Sequence, residues 1–236
     1  MEDVADFVFI TYNIDSSSCD VEKRLESFIN LIKNDKPDIL AIQEVKREVY
    51  EKITREMKHL GYKYRLPSIV QKRDVGELIF SKYPIESFEF VPFKKTKERR
   101  GLNIAKIDLW EKHMHIITTQ LESVTAIRNM QIKEAQKIIK NIKGCVIFGG
   151  DMRIMSYEKS LNVPPEWSDA WYDAGSSLSE FTVNHDTNLL VSQLFKDRPD
   201  RVWSILLDPI EYDLCGIDAD PAISSHYGVK VKFEFI

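Results

Sequence analysis

The sequence predicts a layered α/β (α+β) fold in which two β-sheets pack face to face and helices cover the outside. Two strand–helix units come first, then a run of strands, another helix and further strands, and this mixed order suits two packed sheets. No linker, low-complexity tract or break in composition divides the 236 residues, so we expect a single domain over residues 1–236. Hydrophobic residues make up 43% and charged residues 30%, which is typical of a globular protein.

The two strand–helix units occupy the first quarter of the chain. Residues 7–13 (FVFITYN) and 38–44 (DILAIQE) are apolar runs rich in strand-forming residues. After the first run, Asp20 stands at a helix N-cap position, and apolar residues recur on one helical face until Pro37 ends the pattern. After the second run, helical spacing continues to Gly61, a residue type common at helix C-termini.

Strand patterns dominate the rest of the chain. Residues 77–93 predict a strand, a turn and a strand, and residues 102–110 and 113–121 predict two more strands. The longest helix is predicted over residues 124–142. The remaining predicted strands begin at Cys145 and cover residues 145–148, 200–207 and 228–236, with no regular pattern over 155–195.

Charge and cysteine content narrow the possible environment. The net charge of −4 shows no overall basic field for nucleic acid, although a local basic groove would be hidden in that sum. Three widely spaced cysteines fit neither a disulfide framework nor a structural zinc site. The N-terminus lacks a signal-peptide pattern, and no apolar run is long enough to span a bilayer. We therefore expect an intracellular protein, nuclear or cytoplasmic and not secreted, without a membrane or disulfide-linked partner.

Polar residues recur at the ends of the predicted strands. They are Asn13, Glu44, Asp151, Asp200 and His226. In a layered fold such positions converge on one edge of the sheets. Carboxylates with an Asn and a His suit a hard cation such as Mg²⁺, and they also suit metal-assisted attack of water on a phosphate ester.

Seven short motifs occur in the order that is typical of one family. They are TYNID, DILAIQEV, GELIFSKYPI, TTQLES, FGGD, RPDRVW and SSHYG. Together they resemble the motifs of the endonuclease/exonuclease/phosphatase superfamily, which includes exonuclease III and deoxyribonuclease I. The stretches TTQLES and FTVNHDTN are most similar to the 5′-tyrosyl-DNA phosphodiesterase branch. The resemblance implies a four-layer αββα sandwich of two mixed sheets with helices outside.

The resemblance also implies roles for the strand-end residues. Glu44 would ligate Mg²⁺, or Mn²⁺ in its place, with Asn13 nearby to orient water or phosphate. Asp151 would position or deprotonate the attacking water. His226 would contact the scissile phosphate, held in its tautomer and orientation by Asp200. The implied activity is hydrolysis of a nucleic-acid phosphoester, with a 5′-tyrosyl-DNA bond, a protein–DNA adduct, as one candidate substrate.

Three positions of the implied site depart from the family pattern. Arg153 replaces an Asn, Gln120 replaces a His, and Ser225 replaces an Asp. We place these three among the substrate-binding candidates, together with His185 in the FTVNHDTN stretch, where Val183 replaces a Trp. The changes at 153 and 225 make the site about two charge units more positive, which disfavours a divalent metal and favours phosphate.

Several interpretations stay open from the sequence alone. Arg153 could clamp phosphate in a slower hydrolase, mark a site that binds without turnover, or turn outward to solvent. The whole protein could correspondingly be an enzyme or a nucleic-acid or protein binding module on the same fold, and a small phosphoester is a third possible substrate class. The basic stretch 94–100 (KKTKERR) could line a groove for nucleic acid, act as a nuclear import signal or be a solvated loop.

Overall fold

A computed structural model describes residues 6–16, 20–67, 75–158, 163–192 and 194–236 of the chain. Cys19 lies outside these ranges, and Cys145 and Cys215 are free thiols. Within the same ranges, no helix combines the length and apolar composition that a bilayer crossing requires.

The strands and helices follow the mixed order that the sequence predicts. The strands are β1 (Asp6–Asn13), β2 (Ile39–Lys46), β3 (Tyr64–Leu66), β4 (Val75–Ser81), β5 (Ile85–Pro92), β6 (Gly101–Leu109), β7 (Lys112–Gln120), β8 (Cys145–Asp151), β9 (Ser168–Asp169), β10 (Val183–Asn184), β11 (Lys196–Asp197), β12 (Asp200–Ile205), β13 (Leu207–Cys215) and β14 (Gly228–Phe235). The helices are α1 (Val21–Asp35), α2 (Arg47–His59), α3 (Thr125–Ile139) and α4 (Ala170–Ala174), with a 3₁₀ turn at Ser177–Ser179.

Two six-stranded sheets organise the molecule. The first has the spatial order β13-β14-β1-β2-β4-β3, and the second has the order β5-β6-β7-β8-β12-β9. Each sheet is mixed, because β1 and β2 run parallel in the first and β7 and β8 run parallel in the second, while their other neighbours are antiparallel. Strands β10 and β11 form a separate two-stranded ribbon.

Three apolar layers hold these sheets and helices together. Alternation along β1 sends Phe7 and Phe9 into the core between the sheets, while Ile10 and Tyr12 pack under α1 and α2. Helix α3 covers the outer face of the second sheet in the same way, with Ile132, Ala135 and Ile139 packed on β7, β8 and β12. The order is thus helices, sheet, sheet, helix, and the predicted four-layer αββα sandwich is confirmed.

Some local predictions need correction. Strand β13 lies where the sequence analysis placed no separate strand, because a bulge between Pro209 and Glu211 interrupts the alternation of buried and exposed residues. Helix α3 ends at Ile139, three residues before the predicted end. Asp20 is the N-cap residue of α1 as predicted, but its side chain makes no capping hydrogen bond.

Candidate active site

The second sheet places three polar residues side by side at the ends of its neighbouring strands β7, β8 and β12. Gln120 and Asp151 end the parallel strands β7 and β8, and they are partners in the strand register. Asp200 begins β12, which runs antiparallel to β8, so Asp200 is the register partner of Asp151 on its other side. Strand direction alone therefore brings together residues that are 80 positions apart in the chain.

The first sheet supplies the facing residues. Asn13 ends β1, and His226 lies two residues before β14 begins. Glu44 lies inside β2, where the pairing with β4 shifts register, and its backbone has φ +58°. Positive φ is uncommon for a residue with a side chain, and a bulge of this kind re-aims the residue that it carries. Here it turns the Glu44 carboxylate toward the second sheet.

Hydrogen bonds join the two rows of residues across the gap between the sheets. Asn13 Nδ2 donates to Asp151 Oδ2 at 3.0 Å, and Gln120 Nε2 donates to the same oxygen at 3.0 Å and also to Glu44 Oε1. His226 Nδ1 lies 2.8 Å from Asp200 Oδ2. One oxygen or nitrogen each of Asp151, Asp200 and His226 lies within 4.8 Å of the others. The five strand-end residues of the sequence analysis thus meet at one mouth, which we call the inter-sheet mouth.

Two glycines before Asp151 allow close packing at this point, Gly149 between the two sheets and Gly150 between neighbouring strands of the second sheet. A Cβ atom on Gly149 would lie 2.9 Å from the ring of Phe9 in the first sheet. A Cβ atom on Gly150 would lie 2.2 Å from the carbonyl oxygen of Thr119. The glycine pair in the FGGD motif is therefore a packing requirement of the site, since any larger side chain would push β8 away from its neighbours.

Asp151 is held as a buried anion. Its side chain is 1% exposed, and burial alone would raise its pKa. The positive charges of His226 and Arg153, with the N–H donors of Gln120 and Asn13, outweigh burial and lower the pKa below the ordinary value. A carboxylate with a lowered pKa is a weaker base, so Asp151 suits the positioning of water better than the removal of its proton.

His226 and Asp200 form a charged pair on the opposite side of the inter-sheet mouth. Burial alone would lower the pKa of His226, but the adjacent Asp200 carboxylate, with Asp151 and Glu44 further away, raises it to about 9. Burial raises the pKa of Asp200, against the charge of His226 and a 2.6 Å hydrogen bond from the Thr182 hydroxyl. We conclude that His226 is an imidazolium near neutral pH, with Nδ1 committed to Asp200 and Nε2 left for another group.

Arg153 points into the inter-sheet mouth. Its Nη2 lies 3.2 Å from Glu44 Oε1, and its Nε lies 3.3 Å from Asp151 Oδ2. Burial would lower the pKa of Arg153, but Asp151 and Glu44 raise it above its ordinary value. The alternative in which Arg153 faces solvent is wrong, because the guanidinium bonds both carboxylates.

The remaining two substrate-binding candidates lie at the periphery. Ser225 Oγ reaches Asp15 Oδ2 at 3.5 Å, on the first-sheet side of the mouth. His185 Nε2 pairs with Asp186 at 3.0 Å, and no hydrogen bond or ion pair joins His185 to the residues of the inter-sheet mouth within the described ranges. The structure therefore brings Gln120 and Arg153 into the cluster and Ser225 to its rim, while the bonds of the described residues do not connect His185 to it.

Sequence reasoning missed Arg100, which orients Gln120. Arg100 belongs to the basic stretch 94–100, yet it is 7% exposed and donates from Nη1 to Gln120 Oε1. This bond fixes which end of the amide faces the carboxylates Glu44 and Asp151. A run of charged residues such as 94–100 is typical of a solvated loop, and its sequence pattern does not indicate that Arg100 faces inward.

Glu122 anchors the same loop. Its Oε1 accepts hydrogen bonds from the Thr96 hydroxyl at 2.8 Å and from the backbone N–H groups of Lys97 and Glu98. Glu122 belongs to the TTQLES motif, and the sequence analysis assigns it no role. The motif contains both the residue that enters the mouth, Gln120, and the residue that holds the loop delivering Arg100.

The donor atoms of the inter-sheet mouth fit a hard divalent cation. Glu44 and Asp151 offer carboxylate oxygens, which Mg²⁺ and Mn²⁺ prefer, and the Glu44 carboxylate is 18% exposed and so open to solvent. Three carboxylates, Glu44, Asp151 and Asp200, face two cations, Arg153 and protonated His226. These five groups together carry one net negative charge, which is a modest attraction for a divalent ion.

A sandwich of two mixed sheets, with a carboxylate–histidine cluster between the strand ends, defines the class of protein. The Endonuclease/Exonuclease/phosphatase family model matches residues 10–152, more than half of the chain. The chain belongs to that family, and the resemblance drawn from the seven motifs is confirmed.

Tyrosyl-DNA phosphodiesterases are prominent among the relatives. Tyrosyl-DNA phosphodiesterase 2 of Xenopus laevis is 25% identical over 178 residues, which are 72% of this chain and 47% of the relative. The 5′-tyrosyl-DNA phosphodiesterase of Caenorhabditis elegans is 27% identical over 210 residues, which are 82% and 56% of the two chains. This chain therefore spans about half the length of the curated relatives that it matches.

Solved structures are similar over nearly the whole chain. Truncated TDP2 of Caenorhabditis elegans superposes with a TM-score of 0.86 at 25% identity, covering 99% of this chain and 100% of that one. TDP2 of D. rerio complexed with single-strand DNA product superposes with a TM-score of 0.89 at 19% identity, covering 98% and 99%, which shows a shared fold.

Proposed function

We propose that this protein is a Mg²⁺-dependent phosphodiesterase that hydrolyses a phosphoester of nucleic acid, with a 5′-tyrosyl-DNA bond as the substrate to test first. One observation carries the proposal: a buried Asp151 anion and the His226–Asp200 pair face each other across one mouth, within 4.8 Å. At this separation, the Asp151 anion can hold an attacking water on one side of a phosphorus atom, and the His226 cation can hold a charged phosphoryl oxygen beside it.

Each residue of the mouth has a role in this proposal. Asp151 accepts a hydrogen bond from the attacking water and aims it at phosphorus, with Asn13 holding the carboxylate in place. As the new O–P bond forms, the P–O bond to the leaving oxygen breaks and the proton of the water passes to solvent. His226 donates from Nε2 to a phosphoryl oxygen and stabilises the charge that develops there, while Asp200 holds the ring. Arg153 presents a planar fork of donors to the other phosphoryl oxygens.

Glu44 would hold the Mg²⁺ ion, with Asp151 as the neighbouring carboxylate. When bound, the ion would supply Lewis-acid stabilisation of the phosphoryl and leaving oxygens. Gln120 donates to both carboxylates and keeps their spacing fixed.

The loop that delivers Arg100 supports a nucleic-acid substrate. Lys94, Lys95 and Lys97 are exposed in this loop, and Arg100 of the same loop reaches into the inter-sheet mouth. Positive side chains beside the mouth suit the phosphates that flank a scissile bond. The similarity to tyrosyl-DNA phosphodiesterases favours DNA bearing a 5′-tyrosyl group. The cysteine content also agrees with a location inside the cell, where a protein–DNA adduct would occur.

A cleavage assay tests the proposal. The protein is incubated with Mg²⁺ and a 5′-tyrosyl oligonucleotide, alongside Glu44→Gln, His226→Asn and the matched surface variant Glu48→Gln, whose side chain is exposed on α2. We expect the wild type and Glu48→Gln to release tyrosine at equal rates, and the two site variants to be slower by at least about 100-fold. Equal rates for all four proteins would refute the proposed site.

A binding module without turnover is the second candidate. It is favoured by Arg153, which already forms ion pairs with both carboxylates. Nucleic-acid binding with no release of product in Mg²⁺ or Mn²⁺ would select it. The cleavage assay is repeated with sphingomyelin and a small phosphomonoester as substrates, because Sphingomyelinase C of Bacillus cereus is 28% identical over 149 residues, which are 53% of this chain and 45% of that relative.

A further inference from the structure

Arg153 occupies the place between Glu44 and Asp151 where a cation would lie. Its Nη2 is 3.2 Å from Glu44 Oε1, and its Nε is 3.3 Å from Asp151 Oδ2. One guanidinium therefore bridges the carboxylate of the first sheet and the carboxylate of the second. The two oxygens that it contacts are among those that a divalent cation would need.

The backbone holds Arg153 in this position. Arg153 has φ +51°, and its backbone N–H donates to Asp151 Oδ1 at 3.1 Å. The chain thus folds back immediately after β8, and the side chain returns toward the residue that precedes it by two positions. Because both the backbone and the side chain of Arg153 bond Asp151, this contact is part of the local turn and is independent of the loops around it.

Among the donors to Glu44 and Asp151, Arg153 is the one that can move away. Asn13 and Gln120 also donate to Asp151 Oδ2, and Gln120 donates to Glu44 Oε1. Both are buried and fixed in strands, whereas the Arg153 side chain is 23% exposed and has water on one side. A guanidinium released from the carboxylates therefore has solvent, or a bound phosphate, to move into.

We propose that Arg153 is a built-in counter-ion that competes with a divalent cation for Glu44 and Asp151, and that a bound phosphate draws Arg153 away and so strengthens cation binding. Phosphate offers the guanidinium a bidentate partner, and the cation then takes over the carboxylates. Coupling of this kind is reciprocal, so the cation strengthens phosphate binding by the same factor. The inference rests on the proposed function in taking the site to bind a divalent cation and a phosphate.

Binding of Mn²⁺ tests the inference without turnover. The free Mn²⁺ signal in electron paramagnetic resonance is followed during titration of the wild type, Arg153→Ala and Arg153→Lys, with Glu44→Gln as the blank. Arg55→Ala on α2 is the matched control, because Arg55 is exposed and pairs only with its neighbour Glu56 among the bonds of the described residues. Alanine removes the charge and adds no ligand atom.

We expect Arg153→Ala to bind Mn²⁺ at least about tenfold more tightly than the wild type, since one adjacent positive charge is gone. Arg153→Lys should fall between them, and Arg55→Ala should equal the wild type. Inorganic phosphate, compared with chloride at equal ionic strength, should tighten Mn²⁺ binding several-fold in the wild type and not in Arg153→Ala.

Two outcomes would overturn the inference: equal Mn²⁺ affinity in the wild type and Arg153→Ala, or phosphate coupling that persists in Arg153→Ala. If Arg153→Ala fails to fold, the phosphate arm on the wild type and the Arg153→Lys titration decide the question. Failure of the proposed function looks different. Tighter Mn²⁺ binding in Arg153→Ala with no cleavage by any variant would support the counter-ion role of Arg153 and refute the proposed phosphodiesterase activity. Cleavage with the same Mn²⁺ affinity in the wild type and Arg153→Ala would support the activity and refute the counter-ion role.

Discussion

The Nδ1 atom of His226 lies 2.8 Å from Asp200 Oδ2, and this contact joins the two sheets of the sandwich at the inter-sheet mouth. Asp200 begins a strand of the second sheet, and His226 precedes the last strand of the first. The pair therefore has a structural and a chemical consequence, since it holds the sheets together and keeps the imidazole protonated.

The protonation of His226 predicts a loss of stability at high pH. Its folded pKa of about 9 lies above the unfolded value near 6.5, so the stabilisation is complete below about pH 6.5 and is lost as pH rises through about 9. We expect the free energy of unfolding to fall by at most about 3 kcal/mol across this window. Urea unfolding at several pH values measures this change in the free energy of unfolding.

A matched pair of variants isolates this effect. His226→Asn should flatten the dependence between pH 6.5 and 9, while His59→Asn, on the exposed end of α2, should leave it unchanged. For the proposed hydrolysis, kcat/KM should also decline above about pH 9 as the proposed donor His226 loses its proton. A wild-type stability curve that stays flat over this range would contradict the assignment of an imidazolium.

Arg100 is predicted to act through Gln120 as a positioning residue. Arg100→Met keeps the apolar stem and removes the donor to Gln120 Oε1, so the amide is held only by the bonds that its Nε2 donates to Glu44 and Asp151. The change also removes the guanidinium that pairs with Glu77 and Glu98, so the loss of stability is measured beside the loss of rate. We expect kcat/KM to fall by about 10- to 100-fold, the range seen when outer partners of site ligands are removed. The control is Arg55→Met, which removes an exposed guanidinium from α2.

The pH profile separates positioning from general destabilisation. Gln120 is one of the groups that lower the pKa of Asp151, after the charges of His226 and Arg153. When Gln120 is loosened, the acid limb of kcat/KM should move to higher pH, because Asp151 is less strongly held as an anion. A lower rate with an unmoved acid limb would show that Arg100 serves only to support the fold.

Glu122 is predicted to control the order of the loop that carries Arg100. Its carboxylate accepts the backbone N–H groups of Lys97 and Glu98, and charge-assisted bonds of this kind contribute about 1.5 to 3 kcal/mol each. In Glu122→Ala, amide hydrogen exchange at these two positions should rise by tenfold or more. Exchange measured by mass spectrometry checks this, with Glu48→Ala as control, and unchanged protection would show that other contacts hold the loop.

The Glu122 anchor should also weaken in acid. Burial raises its pKa, but the N–H of Glu98, the Thr96 hydroxyl and the N–H of Lys97 together lower it below the ordinary value. A carboxylate with a depressed folded pKa stabilises the fold above its unfolded pKa and loses that effect as pH falls through the folded value. Exchange at Lys97 and Glu98 should therefore accelerate at acid pH beyond the intrinsic trend, and Glu122→Ala should remove this excess.

Gly150 is predicted to tolerate no side chain. In Gly150→Ala the new Cβ would lie 2.2 Å from the Thr119 carbonyl oxygen, so β7 and β8 must separate, at a cost of about 1 to 3 kcal/mol from overpacking. The comparison is Gly61→Ala after α2, where the backbone also has positive φ but no atom lies within 4 Å of the new Cβ. Urea unfolding should show a larger loss for Gly150→Ala, and equal losses would mean that the strands adjust freely.

The sequence could predict the layers because burial leaves a local signature. The alternation of Phe7 and Phe9 with Ile10 and Tyr12 places one set between the sheets and the other under the helices, and this period-two pattern is visible in the chain itself. The sequence analysis missed β13 for the same reason, because the bulge beside Pro209 interrupts the period-two pattern on which strand prediction depends. Strand ends are also visible in the sequence, as at Asn13, Asp151 and Asp200, but the prediction that Glu44 ends its strand is wrong, because the bulge lets β2 continue to Lys46.

Only the tertiary structure decided what these residues do to one another. The sequence left three interpretations open for Arg153, and the positive φ beside β8 with the facing Glu44 carboxylate excludes the one in which Arg153 turns outward to solvent. It gave no reason to separate Arg100 from the charged loop around it, because that distinction depends on Gln120 lying opposite. Periodicity reports which side of an element is buried. The direction and charge state of a polar side chain depend on partners that are distant in sequence, and only folding supplies them.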